Sequence, residues 1–194
     1  VAPGQVVKIS DWWQDLIVNG TLTADGTSTD TIIFTSIHDD SVGGDTNNNG
    51  AGSSGGKGQW RSIAFDAGST GNVMDYVEVR YGGYNSDYNP ASVVASGAGL
   101  TLTNSVIRDS YTSGLRVNQS NPTVTAVTFQ ANNGAAIAMD LASNPTIQNV
   151  TTTGNWGNGL ALDAGELAGN AVWDDPDIVY YFTGDVTVPA GSTL

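Results

Sequence analysis

The sequence predicts an all-β fold wound as a parallel β-helix, and three observations carry that prediction. Apolar positions recur with a period of about 22 residues. The apolar runs are short and cut by Gly, Asn and Ser. Helix-forming charged residues are scarce. Of 194 residues 13% are charged and 39% hydrophobic, with 25 Gly, 6 Pro and no Cys. An ordinary soluble chain carries about twice that share of charge. Surface polarity must then come from Asn, Thr, Ser and Gly, which favours strands and turns over helices. A chain of this length is able to bury a sizeable core as one domain.

The repeat is countable in the C-terminal half. "LTNSVIRDS" from Leu102, "VTAVTFQAN" from Val124 and "IQNVTTTGN" from Ile147 place inward candidates in one frame. They are Leu102, Ser105, Ile107 and Ser110; Val124, Val127, Phe129 and Asn132; Ile147, Val150, Thr152 and Asn155. Met74, Val77, Val79 and Gly82 fit the same frame upstream. A second strand precedes each unit: Ile63-Ala64-Phe65, Leu115-Arg116-Val117, Ile137-Ala138-Met139 and Leu160-Ala161-Leu162. Each points two apolar residues inward and one residue out. Asp66, Asn118, Asp140 and Asp163 follow as a polar column at one corner.

Self-similarity at a fixed period means a solenoid, in which each coil buries its face against the next. The strands are too short for helical repeats, and the coil itself supplies the crossover that parallel strands need. Ser110, Asn132 and Asn155 are expected to stack as a polar ladder inside a turn. The single domain 1–194 carries loop insertions at 38–59 and 84–91. The remainder divides into roughly seven coils of about 22–23 residues, a rod about 35 Å long at the spacing of stacked strands.

With those units in place, a resemblance becomes specific. "VVKISDWWQDLIVNGTLTADGTSTDTIIFTSIHDDSVGGDTNNNG" followed by "QWRSIAFDAGSTGNVMDYVEVRYGG" resembles right-handed parallel β-helix domains, the pectate-lyase-like solenoids of bacterial secreted and surface proteins. The resemblance covers nearly the whole chain. It implies right-handedness and an extracellular or cell-surface setting more strongly than any activity, because that family hosts adhesins, structural modules and polysaccharide-active enzymes.

Charge narrows the partners. Nineteen acids against 6 bases give a net charge of −13. Phosphate backbones and anionic lipid surfaces are repelled, so nucleic acid is not expected as a partner. No apolar run approaches the roughly 20 residues of a membrane span, so membrane insertion is not expected either. Hard cations such as calcium suit an acidic chain better.

The loop supplies a calcium candidate. Asp45-Thr46-Asn47-Asn48-Asn49-Gly50 matches the opening D-x-[DN]-x-[DN]-G of a calcium loop. Gly56 stands where the bidentate Glu belongs, so extra charge must come from Asp39 and Asp40. The candidate ligands are Asp39, Asp40, Asp45, Asn47 and Asn49. The alternative is a metal-free Asn/Gly turn cluster with Asx-type hydrogen bonds. His38, just before it, reads as a solvated or hydrogen-bonded side chain.

No catalytic residue is expected. Glu78, Arg80 and Arg108 read as an exposed charge pair relieving a sheet surface, with Arg116 on another face. Asp66, Asp140 and Asp163 could resemble a carboxylate cluster, but Asp140 and Asp163 would repel one coil apart unless a cation or solvent separates them. Trp12, Trp13, Trp60, Tyr81, Tyr84, Tyr88 and Trp156 are either platforms for sugar rings or core and capping residues. An ice-binding rod would need a long regular Thr array, for which Thr151 and Thr153 are too few.

The two ends suggest an assembly. Joined tail to head, they read "VTVPAGSTLVAPGQVVKIS", as in continuous coils. Val6, Val7, Ile9, Val186, Val188 and Leu194 would supply strands and core at such joints. Head-to-tail contacts that do not close make filaments. The expectation is a non-enzymatic extracellular structural protein whose partner is itself, building surface or biofilm-matrix filaments with calcium fastening the loop. A piece of a larger surface protein and a free monomer stay open. The rival reading is a polysaccharide-binding or polysaccharide-cleaving, lyase-like domain.

Overall fold

The computed structural model describes residues 1–84 and 91–194. Residues 85–90, which include Tyr88 and make up most of the expected 84–91 insertion, lie outside the described residues. β1 (Val6–Ile9), β2 (Leu16–Val18) and β3 (Thr23–Asp25) make the first circuit. β4 (Ile32–Ser36), β5 (Ile63–Phe65) and β6 (Asn72–Asp75) follow, then β7 (Val77–Arg80), β8 (Ala91–Ser96) and β9 (Leu100–Thr103). The next circuits are β10 (Val106–Arg108), β11 (Ser113–Asn118), β12 (Thr123–Thr125), and β13 (Thr128–Gln130), β14 (Ala135–Met139), β15 (Thr146–Gln148). The chain finishes with β16 (Thr151–Thr153), β17 (Gly157–Leu162), β18 (Gly165–Glu166), β19 (Tyr180–Phe182) and β20 (Val186–Thr187).

Every third strand joins the same sheet. Sheet A runs β1-β4-β7-β10-β13-β16, sheet B β2-β5-β8-β11-β14-β17-β19 and sheet C β3-β6-β9-β12-β15, with β18-β20 as a two-stranded annex. All pairs are parallel. Among the described residues there is no helix, and none long and apolar enough to cross a membrane. The 7-stranded sheet B fixes seven coils, the number the period predicts.

Register follows the repeat. Inside sheet A, Val7, Phe34, Val79, Ile107, Phe129 and Thr152 stack one above another. Sheet C contributes Ala24, Met74, Leu102, Val124 and Ile147. Sheet B contributes Leu16, Ile63, Val93, Leu115, Ile137 and Leu160. From Ile63 to Leu160 these side chains are buried, each worth about 1.5–3 kcal/mol of transfer free energy. A one-residue slip would turn a whole column outward, so the pattern fixes the pairing. The strand β8, Val93-Val94-Ala95 at its centre, sits between β5 and β11. The repeat read from sequence passed over it, because the 84–91 insertion displaces it from the regular spacing.

Corners are single residues in the left-handed region. Tyr76, Asn104, Ala126 and Asn149 turn the chain from sheet C to sheet A, at φ 47, 46, 56 and 53. Tyr81, Asp109, Ala131 and Gly154 leave sheet A, at φ 66, 52, 54 and 65. A non-Gly residue there costs about 1–2 kcal/mol. Stacking repays part of it: Asn104 N–H donates to Thr125 O (3.1 Å), and Ala131 N–H to Thr153 O (2.9 Å).

The C-terminal edge of sheet C is closed by side chains. Asp175 Oδ1 accepts from Ile147 N–H (2.9 Å) and Asp177 Oδ2 from Asn149 N–H (2.6 Å). Tyr180 O–H donates to Asp175 Oδ2 (2.8 Å). Burial and then that bond raise the Tyr180 phenol above its ordinary value, keeping it a donor. The interruption at Asp174-Asp175-Pro176-Asp177 is thus an edge cap.

Candidate functional site

The corner between sheets A and B carries the features that packing alone leaves unexplained. Tyr111 N–H donates to Gly82 O (2.9 Å), Asn133 N–H to Ser110 O (3.0 Å) and Trp156 N–H to Asn132 O (3.0 Å). These bonds make Gly83, Tyr111, Asn133 and Trp156 the same position in successive coils. The residue before each, from Ser110 to Asn132 to Asn155, points into the rod and is buried. Asn132 Oδ1 accepts from Ser110 N–H (2.9 Å), and Asn155 Oδ1 accepts from Asn132 N–H and Nδ2 (3.0 and 2.8 Å). Asn158 Oδ1 then takes Asn155 N–H (3.0 Å). The ladder therefore runs from amide to backbone, with Ser110 at one end joined through its own N–H.

Side chains that follow the ladder point outward. Tyr111 and Trp156 are 48% and 78% exposed. Asn133 lies between them and accepts from Lys57 Nζ (2.6 Å). Upstream, the same flank holds Trp12 and Trp13 in the β1–β2 connection, 49% and 54% exposed. Trp12 packs edge-on to Trp13 (5.1 Å between centroids) and against Tyr84 (4.8 Å), and Tyr84 stacks on Tyr111 (6.5 Å, 27°). The four rings thus form a continuous row in which Trp13, Trp12 and Tyr111 are exposed and Tyr84 is half-buried. Beside it opens a cleft of about 590 Å³ lined by Ser10, Asp11, Trp12, His38, Gly58, Gln59 and Tyr84.

From the segment 37–62, His38, Gly58 and Gln59 form the far wall of that cleft. Asp39 is buried and pairs with buried Arg80 (2.5 Å). Its carboxylate also accepts from Thr35 Oγ1 (2.6 Å) and Ser41 Oγ (2.6 Å). Burial opposes the charge, yet bonds from Ser41, Thr35 and Arg80, together with the Arg80 charge, hold this carboxyl below the usual carboxylate value. Arg80 reaches on to Glu78 (3.1 Å), which also binds Arg108 (2.7 Å). The Tyr81 ring lies 5.6 and 5.7 Å from the two guanidinium carbons. Arg80 is outward-facing, as its register requires, but the loop covers it; the expected exposed pair is in part a buried one.

Close glycines bring the returning loop against this flank. A Cβ on Gly55 would lie 2.1 Å from the Tyr81 ring, and one on Gly58, at φ +77, 3.0 Å from Tyr111 Cβ. Gly58 N–H and Gln59 N–H then donate to Gly82 O (3.2 Å) and Tyr81 O (2.9 Å).

The five expected calcium ligands do not form one set. Asp39 is spent on Arg80, Thr35 and Ser41. Asp45 accepts from Asn49 N–H (3.1 Å) and Gly50 N–H (2.7 Å), an Asx-type turn. Asn47 Nδ2 bonds His38 Nδ1 (3.2 Å) and Ser53 Oγ (3.0 Å), and Asn49 Nδ2 bonds Ser53 Oγ (2.9 Å). Asp40 Oδ1 and Asn47 Oδ1 alone keep buried oxygens without a partner. Two unpartnered oxygens fall short of the six to eight oxygen ligands calcium takes. Among the described residues no three His, Asp or Glu side chains converge on a metal position.

The carboxylate column separates too. Arg116 spans the intervening coil at Ala138 to grip Asp163 with Nη1 (2.8 Å) and Nη2. Asp140 accepts from Gln119 N–H (2.8 Å) and Ser143 Oγ (2.7 Å). An arginine, not a cation from solution, neutralises Asp163. On the outside of sheet C, Thr101, Thr123 and Thr146 align beside Thr103 and Thr125, but Asp75 and Gln148 bound that short array.

Of the expected aromatic platforms, Trp60 is core, buried with Nε1–H on Arg80 O (2.9 Å). Tyr111 was missed; its signal is the position just after a ladder residue, which Trp156 shares. Of the expected joint residues, Val7 and Ile9 pack against the core, while Val6 faces out against Gly43. Val186 lies in β20, and Val188 and Leu194 are exposed.

A family model described as a right handed beta helix region matches residues 63–173, more than half of the chain. No curated protein and no solved structure matches the chain.

Proposed function

The chain belongs to the right-handed β-helix family, and from that premise we propose that it is a non-enzymatic extracellular module that binds polysaccharide on the A–B flank. The row of rings Trp13, Trp12, Tyr84 and Tyr111, half-buried at Tyr84 and exposed at the others, beside a cleft of mixed polar and apolar lining carries the reading. A sugar ring has an apolar C–H face and a rim of hydroxyls. Rings held by packing on one another are already ordered, so stacking a sugar on an exposed ring such as Trp12 or Tyr111 costs little side-chain entropy. Ser10, Asp11, His38 and Gln59 supply donors and acceptors for the rim. Exposed apolar rows of this kind mark binding surfaces in soluble proteins. Against cleavage stands the pairing of Arg80 with Asp39, Arg108 with Glu78 and Arg116 with Asp163, which engages three arginines that a lyase would need free as its base.

Isothermal titration with soluble polysaccharides tests the reading. Binding is expected, and the Trp12→Ala variant should weaken it at least about tenfold, the equivalent of 1.4 kcal/mol. Equal affinity of wild type and variant would sink it.

Head-to-tail association with a second copy is the second reading. It is favoured by the outer edges of β1 and β2 at one end and β16 and β19 at the other, with Ile17 and Phe182 exposed. The carboxylates of Asp175 and Asp177, which occupy the edge amides of sheet C, oppose it. Electron microscopy decides: filaments support it, isolated particles remove it.

A further inference from the structure

Resting on the polysaccharide reading, we infer that the site extends along the rod past Tyr111 to Trp156, and that it accepts an extended, uncharged polysaccharide lying parallel to the rod axis. Tyr111, Asn133 and Trp156 occupy one position in three successive coils, as their backbone bonds to Gly82, Ser110 and Asn132 require. At the spacing of stacked strands the two aromatic positions are about 10 Å apart, the span of a disaccharide. Between them Asn133 and the Lys57 ammonium that binds it present a polar step. Two rings a disaccharide apart can each stack under one sugar, and the polar step between them can bond the hydroxyls of the intervening residue. Trp156 is 78% exposed, and the ladder residue Asn155 beneath it, bonded to Phe129 O (2.9 Å) and Asn158 Oδ1 (3.0 Å), anchors its backbone.

Charge selects the class of polymer. The chain carries −13 and Asp11 lies in the cleft wall, a field that the single ammonium of Lys57 at the polar step offsets only in part. A uronate polymer adds one negative charge per sugar and is repelled over the distances that salt leaves unscreened. An uncharged polymer meets no such barrier.

The experiment is a titration of the whole chain with neutral β-linked gluco- and manno-oligosaccharides, two and six sugars long, and with a galacturonate oligomer of six. Wild type should bind a neutral hexasaccharide about tenfold or more tighter than the disaccharide, and Trp156→Ala should lose most of that chain-length advantage. Circular dichroism and the melting midpoint establish that the variant is folded. An unchanged hexasaccharide affinity in Trp156→Ala would overturn the extension. Tighter binding of the galacturonate oligomer at low salt would overturn the uncharged class. Absence of binding to every oligosaccharide would instead remove the polysaccharide reading on which both rest.

Discussion

Between β10 and β11 the chain crosses from sheet A to sheet B through residues 109–112, whereas between β4 and β5 the same corner takes residues 37–62. The short crossing buries Ser110 and satisfies it with the amide of the coil above. The long crossing rejoins the stack only at its end, where Gly58 and Gln59 bond Gly82 O and Tyr81 O, and its start is anchored by the buried ion pair of Asp39 with Arg80. A repeat satisfies its buried polar groups by copying them; an insertion must find its own partner. Only the insertion builds a wall, and the cleft forms where that wall meets the repeating row of rings.

Breaking each corner should show the difference. Asp39→Ala leaves buried Arg80 with Glu78 as its remaining carboxylate partner and should destabilise the fold by up to about 3–5 kcal/mol, read from urea unfolding. The same pair gives a pH dependence. Asp39 titrates below its unfolded value of about 3.9, so its contribution is complete above about pH 4 and is lost as pH falls through the lowered folded value. Asp39→Asn should flatten that part of the acid-unfolding curve.

Asn132→Ala comes next. It orphans Ser110 N–H and removes a donor from Ile107 O, a cost of about 2–3 kcal/mol in the same unfolding measurement. The edge cap should matter less and locally. Removing both Asp175 and Asp177 as alanines should cost about 1–2 kcal/mol and speed hydrogen exchange at the Ile147 and Asn149 amides, leaving mid-rod amides protected.

Ala131→Gly has the opposite sign from an ordinary strand substitution. Ala131 sits at φ 54, where relief of about 1–2 kcal/mol is offset by a Gly penalty of about 0.5–1 kcal/mol. The midpoint of unfolding should stay level or rise. The smallest effect should be that of calcium: with Asp39 and Asp45 committed to other partners, millimolar calcium or a chelator should leave the melting midpoint unchanged.

The fold was legible because its signal is repeated. Leu102, Val124 and Ile147 each restate the same inward position, and the register of sheets A and C follows from them. β8 was hidden because an insertion moved it off the period. The corners at Tyr76, Ala126 and Ala131 carry no glycine or asparagine signature, so their left-handed backbone was invisible. The loop was legible in part. Its Asp/Asn spacing fits calcium ligation, but which oxygens face one another depends on the fold, and the pairing of Asp39 with Arg80, 41 residues on, lies outside any local window. The aromatic row was half legible. Trp12 and Trp13 were evident as candidates, but their union with Tyr84 and Tyr111 depends on coils stacking, which no local window contains.

Affinity electrophoresis tests the central claim most directly. Wild type and a Trp12→Ala/Tyr111→Ala double variant would be run in native gels with and without an uncharged polysaccharide. Retardation of wild type, largely abolished in a folded double variant, is the predicted result. Equal migration of both proteins in every gel would contradict the assignment of the A–B flank as a polysaccharide-binding surface.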